Sequence, residues 1–106
     1  MSGYARVCSV GEVPDECAKR VMVGEVPVCV VQSEGEFYAL YDVCSHEEVA
    51  LSEGDVDEGT VECYLHGSRF DLRSGKPIGL PATVPVPVYP VKIEGDDVYV
   101  AVEENL

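Results

Sequence analysis

A chain of 106 residues, nearly half of them apolar and a quarter charged, has room for one packed domain and lies outside the composition of disordered chains. Seven basic residues against twenty acidic ones give a formal charge of −13, a surface that repels nucleic-acid phosphates and anionic lipid. The longest charge-free stretch, Pro77 to Val91, is shorter than the roughly 20 apolar residues of a bilayer span and is interrupted by prolines, so neither a nucleic-acid nor a membrane partner is expected.

In chain order, runs rich in Val, Tyr and Ile read as strands at Tyr4 to Val10, Arg20 to Val23, Val26 to Gln32, Glu36 to Tyr41, Thr60 to Cys63, Tyr89 to Ile93 and Val98 to Val102. Turn dipeptides separate them: Gly24-Glu25 in a tight hairpin, Glu34-Gly35, and Glu94-Gly95-Asp96, so neighbouring strands are expected to be antiparallel. No window holds a helical period for more than a turn or two. The best helix candidate, Glu12 to Cys17, is interrupted by Pro14. The fold class is therefore all-β. The alternating Val and Pro between Pro81 and Pro90 suit an extended loop or an edge strand.

Near the N-terminus, Glu12, Asp15 and Glu16 stand where a secretion signal would need a basic start and an apolar run, which places the protein in the cytoplasm. Five cysteines, an odd number, fit reduced thiols. Cys8, Cys17 and Cys29 lie in or beside apolar stretches and read as small buried hydrophobes.

Two short motifs carry the chemistry. Cys44-Ser45-His46 and Cys63-Tyr64-Leu65-His66 each set a thiolate and an imidazole a few residues apart, with sixteen residues between His46 and Cys63. Two such loops facing each other could give both sulfurs to one iron and both nitrogens to the other iron of a 2Fe-2S cluster. Two Cys and two His also make a tetrahedral zinc site, although zinc fingers usually pair Cys with Cys and His with His, whereas each half here is mixed.

The stretch Cys63 to His66 followed by Gly67-Ser68-Arg69-Phe70-Asp71, together with Cys44-x-His46, resembles the two cluster loops of Rieske-type 2Fe-2S ferredoxins. The likeness extends to the Gly75-Lys76-Pro77 turn and to Gly79-Leu80-Pro81-Ala82, which matches a third loop carrying a proline over the cluster. It implies a Rieske fold: an antiparallel β-sandwich over residues 1–106 with a small cluster-binding subdomain at about 42–82. It also implies one 2Fe-2S cluster held by Cys44, His46, Cys63 and His66, with Ser68 placed to donate to a bridging sulfide and Pro81 in the covering loop. Family members commonly carry Pro where this chain has Tyr64. High-potential Rieske proteins have a disulfide between positions that here are Val49 and Leu65, and a sulfur-bonding tyrosine where this chain has Phe70. Their absence implies a midpoint toward the negative end of the range of about −150 to +300 mV.

The subgroup most similar is the ferredoxin component of multicomponent non-haem iron, aromatic-ring dioxygenase systems. The resemblance implies a monomeric carrier passing single electrons from a flavin-dependent reductase to a terminal oxygenase that offers a basic docking patch. Glu47 and Glu48, directly after a ligand, would ring the exposed histidine edge with negative charge. With only two histidines, both spent on the cluster, no side chains remain for a catalytic iron, zinc or His-based nucleophile site, so no enzyme activity of its own is expected. Two other roles suit the same fold: the small subunit of a larger reductase such as an assimilatory nitrite reductase, and a binding module associated with iron-sulfur cluster assembly.

Overall fold

The computed structural model describes residues 4–44, 49–63, 67–78 and 84–102, and these form eleven strands in three antiparallel sheets. Strands β1 (Ala5–Ser9), β10 (Val91–Glu94) and β11 (Asp97–Val100) make the first sheet, in the order β1-β11-β10. The second sheet runs β2 (Cys17–Val23), β3 (Val26–Ser33), β4 (Glu36–Tyr41) and β9 (Val88–Tyr89). The third is built from β5 (Val56–Asp57), β6 (Thr60–Glu62), β7 (Arg69–Asp71) and β8 (Pro77–Ile78) in chain order.

Local chemistry fixes the hairpins. Gly24 has a φ of +63 at the first central position of the two-residue turn that pairs Val23 with Val26, the geometry that suits strand twist. Glu34-Gly35 and Glu58-Gly59 both have positive φ at the two central positions, the I′ turn, and close Ser33 against Glu36 and Asp57 against Thr60.

The pleat of β3 explains how the sheets stack. Val28 and Val30 point to one face and join a core with Val98 and Val100 of β11, while Cys29 and Val31 point to the other and join Val61 and Phe70 of the third sheet. Strand β4 does likewise, with Ala39 on the first face and Leu40 on the second. The second sheet is thus a middle layer buried on both faces, which is why β3 reads as an unbroken apolar run. The antiparallel sandwich is the first two sheets, and the third sheet covers the opposite face of the middle one.

Near the end of the proline-rich run, Val88–Tyr89 form the edge strand β9, which pairs with β4 through Ala39 and Leu40 at the end of the middle sheet. The single strand expected over Tyr89 to Ile93 is two strands, because Pro90, with no N–H to donate, falls between β9 and β10. Around the Glu12 to Cys17 helix candidate there is only a 3-10 turn, Val10–Glu12. Cys8 and Cys29 are buried as expected, but Cys17 is exposed: it begins the edge strand β2, beyond the reach of either core. None of the five cysteines is in a disulfide. Among the described residues no helix is long and apolar enough to cross a membrane.

Candidate metal centre

Cys44 lies three residues past β4 and Cys63 directly follows β6, so two thiols on different sheets meet in the core between the middle and third layers. Both are buried, and they share one apolar cluster with Cys29, Leu51, Val61, Phe70 and Leu72. A thiol pair buried in one apolar cluster suits a soft metal centre whose sulfur side is dry.

Each loop is closed at its neck by backbone hydrogen bonds from the cysteine. The Cys44 N–H donates to the Val49 carbonyl at 2.9 Å, across the segment that contains His46. The Cys63 N–H donates to the Ser68 carbonyl at 2.6 Å, and its own carbonyl accepts from the Gly67 N–H at 2.9 Å, across the segment that contains His66. Gly67 makes that second closure with a φ of +78, a conformation that favours glycine. Ser68 is buried beside the cysteine it accepts from. His46, Glu47, Glu48, Tyr64, Leu65, His66 and the segment Gly79-Leu80-Pro81-Ala82 lie outside the described residues.

The third sheet anchors both ends of the second loop. Glu62 and Arg69 face each other across β6 and β7, with guanidinium and carboxylate 3.6 Å apart, and Arg69 Nε donates to Thr60 Oγ1 at 2.8 Å. Beyond β7, the Asp71 carboxylate accepts from the N–H and hydroxyl of Ser74, both at 2.9 Å, to shape the turn into β8. The Gly75 carbonyl then accepts from the Val86 N–H, tying that turn to the chain on the far side of residues 79–83.

Nothing in the Cys44-x-His46 spacing singles out Asp42, yet this carboxylate has no exposed surface and closes the first loop from outside. Its Oδ1 accepts from the Ser52 N–H and its Oδ2 from the Ser52 hydroxyl, each at 2.7 Å, while its own N–H donates to the Pro27 carbonyl at 3.0 Å. Arg20 Nη1 stands 3.7 Å away. Burial pushes the carboxyl above its ordinary value, against the opposing pull of Ser52 and Arg20. The available signal was a lone acid in an otherwise apolar run just before a candidate ligand.

Comparison with known proteins points the same way. Residues 3–90 match the family model of the Rieske [2Fe-2S] domain. The chain is 44% identical over 98 residues, 92% of each chain, to the ferredoxin component of biphenyl 2,3-dioxygenase from Rhodococcus jostii (strain RHA1). Among solved structures it is similar, at 36% identity and a TM-score of 0.90, to a chain in the complex of reduced oxygenase and oxidised ferredoxin in carbazole 1,9a-dioxygenase, covering 100% of this chain and 99% of that one. The ferredoxin of carbazole 1,9a-dioxygenase from Nocardioides aromaticivorans IC177 superposes with a TM-score of 0.87 at 34% identity, over 94% of this chain and 98% of that chain. The family match resolves the choice between iron-sulfur and zinc that the donor set alone left open.

Proposed function

The chain belongs to the Rieske [2Fe-2S] domain family and is an electron-carrier ferredoxin of the dioxygenase-component type, and we propose that Cys44, His46, Cys63 and His66 are the four ligands of its cluster. When bound, that cluster supplies a one-electron redox change. The observation that carries the ligand assignment is the convergence of Cys44 and Cys63 in one dry cluster, each closing a loop that contains a histidine. The two thiolates would hold one iron and the two imidazoles the other. Ser68, buried beside Cys63, would donate to a bridging sulfide, and Pro81 would belong to the covering third loop that the family resemblance implies.

The working partners are a flavin-dependent reductase upstream and a terminal non-haem iron oxygenase downstream, each presenting a basic patch to this acidic chain. The protein acts as a monomeric single domain over residues 1–106, with the cluster-binding part at about 42–82. Five cysteines outside any disulfide suit the reducing cytoplasm. The ferredoxin-component relatives are 43% and 44% identical to this chain, and that identity favours an independent shuttle over a reductase subunit or an assembly module.

The deciding experiment is iron and acid-labile sulfide analysis with an electron paramagnetic resonance spectrum of the dithionite-reduced protein. Two irons, two sulfides and the low average g of a histidine-ligated cluster are expected. Replacing His46 or His66 by Cys should move the spectrum toward that of an all-thiolate centre. A spectrum unmoved by both substitutions would remove the proposed ligand set.

A further inference from the structure

We propose, resting on the ferredoxin reading above, that Asp42 is a positioning residue for the metal centre: its buried carboxylate, clamped by Ser52, sets the position of Cys44.

The chain from Asp42 to Ser52 is closed by two nested rungs. The inner one is the Cys44 N–H to Val49 carbonyl bond, and the outer one is the pair of bonds from Ser52 to the two carboxylate oxygens. At the same residue the Asp42 N–H reaches back to Pro27 at the start of β3. One residue therefore joins the middle sheet, the end of β4 and the 3-10 turn Leu51–Glu53, and the candidate ligand pair hangs from that junction.

Burying a carboxylate is unfavourable unless its oxygens are satisfied, and a well-packed apolar residue often serves fold stability as well or better. What an apolar residue cannot do is hold Ser52 in a fixed direction relative to Cys44. Two acceptor oxygens on a short, two-torsion side chain define both the distance and the orientation of the returning strand. The energetic asymmetry reinforces this, because truncating Asp42 leaves the Ser52 N–H without its acceptor in a half-buried neck. The loop would then be free to reseat, and with it the arm that carries one sulfur and one nitrogen.

The test uses the cluster-loaded protein and four variants: Asp42→Ala, Asp42→Asn, Ser52→Ala, and Val98→Ala as a stability control in the far core. Readouts are the g values of the reduced protein, the midpoint potential, the unfolding temperature and the rate of absorbance bleaching in excess chelator. Asp42→Ala is expected to shift the g values and to speed bleaching by about tenfold or more, as loss of charge-assisted bonds implies. Ser52→Ala should do the same to a smaller degree. Asp42→Asn should recover most of both, since its amide oxygen still accepts from the Ser52 N–H and its amide nitrogen can donate to the hydroxyl. Val98→Ala should lower the unfolding temperature and leave the spectrum unchanged.

Wild-type g values in Asp42→Ala and Ser52→Ala, with bleaching no faster than in Val98→Ala, would overturn the proposal, as would an Asn variant no better than Ala. If Asp42→Ala does not fold, Ser52→Ala and Asp42→Asn decide the matter by the same criteria. A wild-type chain that holds no iron and sulfide would instead overturn the ferredoxin reading, and this inference with it.

Discussion

Phe70 has no exposed surface and packs in the same apolar cluster as Cys44 and Cys63, so the side chain nearest in kind to a sulfur-bonding tyrosine has no hydroxyl to donate. Hydrogen bonds to ligand sulfur favour the electron-rich reduced state, and a differential stabilisation of tenfold is about 59 mV for a one-electron couple. Phe70→Tyr is therefore expected to raise the midpoint by about 60 mV in voltammetry. A hydroxyl that missed the sulfur would be buried without a partner, costing about 1 to 3 kcal/mol, and would appear as a lower unfolding temperature at an unchanged midpoint. A second residue-scale prediction concerns Glu12, whose carboxylate accepts from the Ser9 N–H at 3.0 Å and lies 3.7 Å from Lys19. The Ser9 bond first, and Lys19 after it, hold its carboxyl below the ordinary value. A lowered folded value gives stability that is present above the unfolded value, about 4.3, and is lost as pH falls through the folded one. Glu12→Gln should thus unfold at a lower temperature than the parent at pH 7, with the gap closing as the pH drops below about 4.

At the scale of elements, the strands β3 and β4 were legible because each is six or more residues long and rich in apolar and aromatic side chains that both cores take up. Strands β5, β7 and β8 were not, because each has only two or three residues and is held by turns and by its neighbours rather than by propensity. The Glu58-Gly59 turn was as readable as Glu34-Gly35, but the Val56–Asp57 strand before it is too short to mark it as a hairpin. The candidate site divides in the same way. Cys and His spacing shows in the sequence, whereas Ser52 closing onto Asp42 depends on the path of the chain between them. Gly54 is another such long-range feature: its φ of −92 suits any residue, but an added Cβ would fall on the Glu62 carbonyl oxygen. That contact presses the end of the first loop against the strand leading to Cys63. Gly54→Ala should cost about 2 kcal/mol by forced displacement of packed backbone. Gly11→Ala, with nothing within 4 Å of its Cβ position, should cost far less in the same denaturant titration.

Over the whole molecule, charge is organised as well as abundant. Of the seven basic residues, Arg6, Lys19, Arg20, Arg69 and Lys92 each lie within 4 Å of an acid, so most of the positive charge is locally cancelled and the net −13 is carried by the remaining carboxylates. A field of this sign accelerates encounter with a basic partner and is screened over about 10 Å at 0.1 M salt. Electron transfer to a basic oxygenase or reductase should therefore slow on the order of tenfold as salt rises from dilute buffer to 0.5 M, when encounter limits the rate. Glu47 and Glu48 follow His46 in sequence, so their charge should weigh more in this slope than that of acids far along the chain from either ligand pair. The Glu47→Gln, Glu48→Gln double variant should transfer electrons more slowly at low salt and show a flatter salt slope, with an unchanged rate at 0.5 M. A pair of matching charge-neutralising changes at Glu94, the last residue of β10, and Asp96, in the turn that follows, supplies the comparison. If both double variants flatten the slope equally, the encounter senses net charge alone. A larger effect at Glu47 and Glu48 locates the docking edge at the first ligand loop.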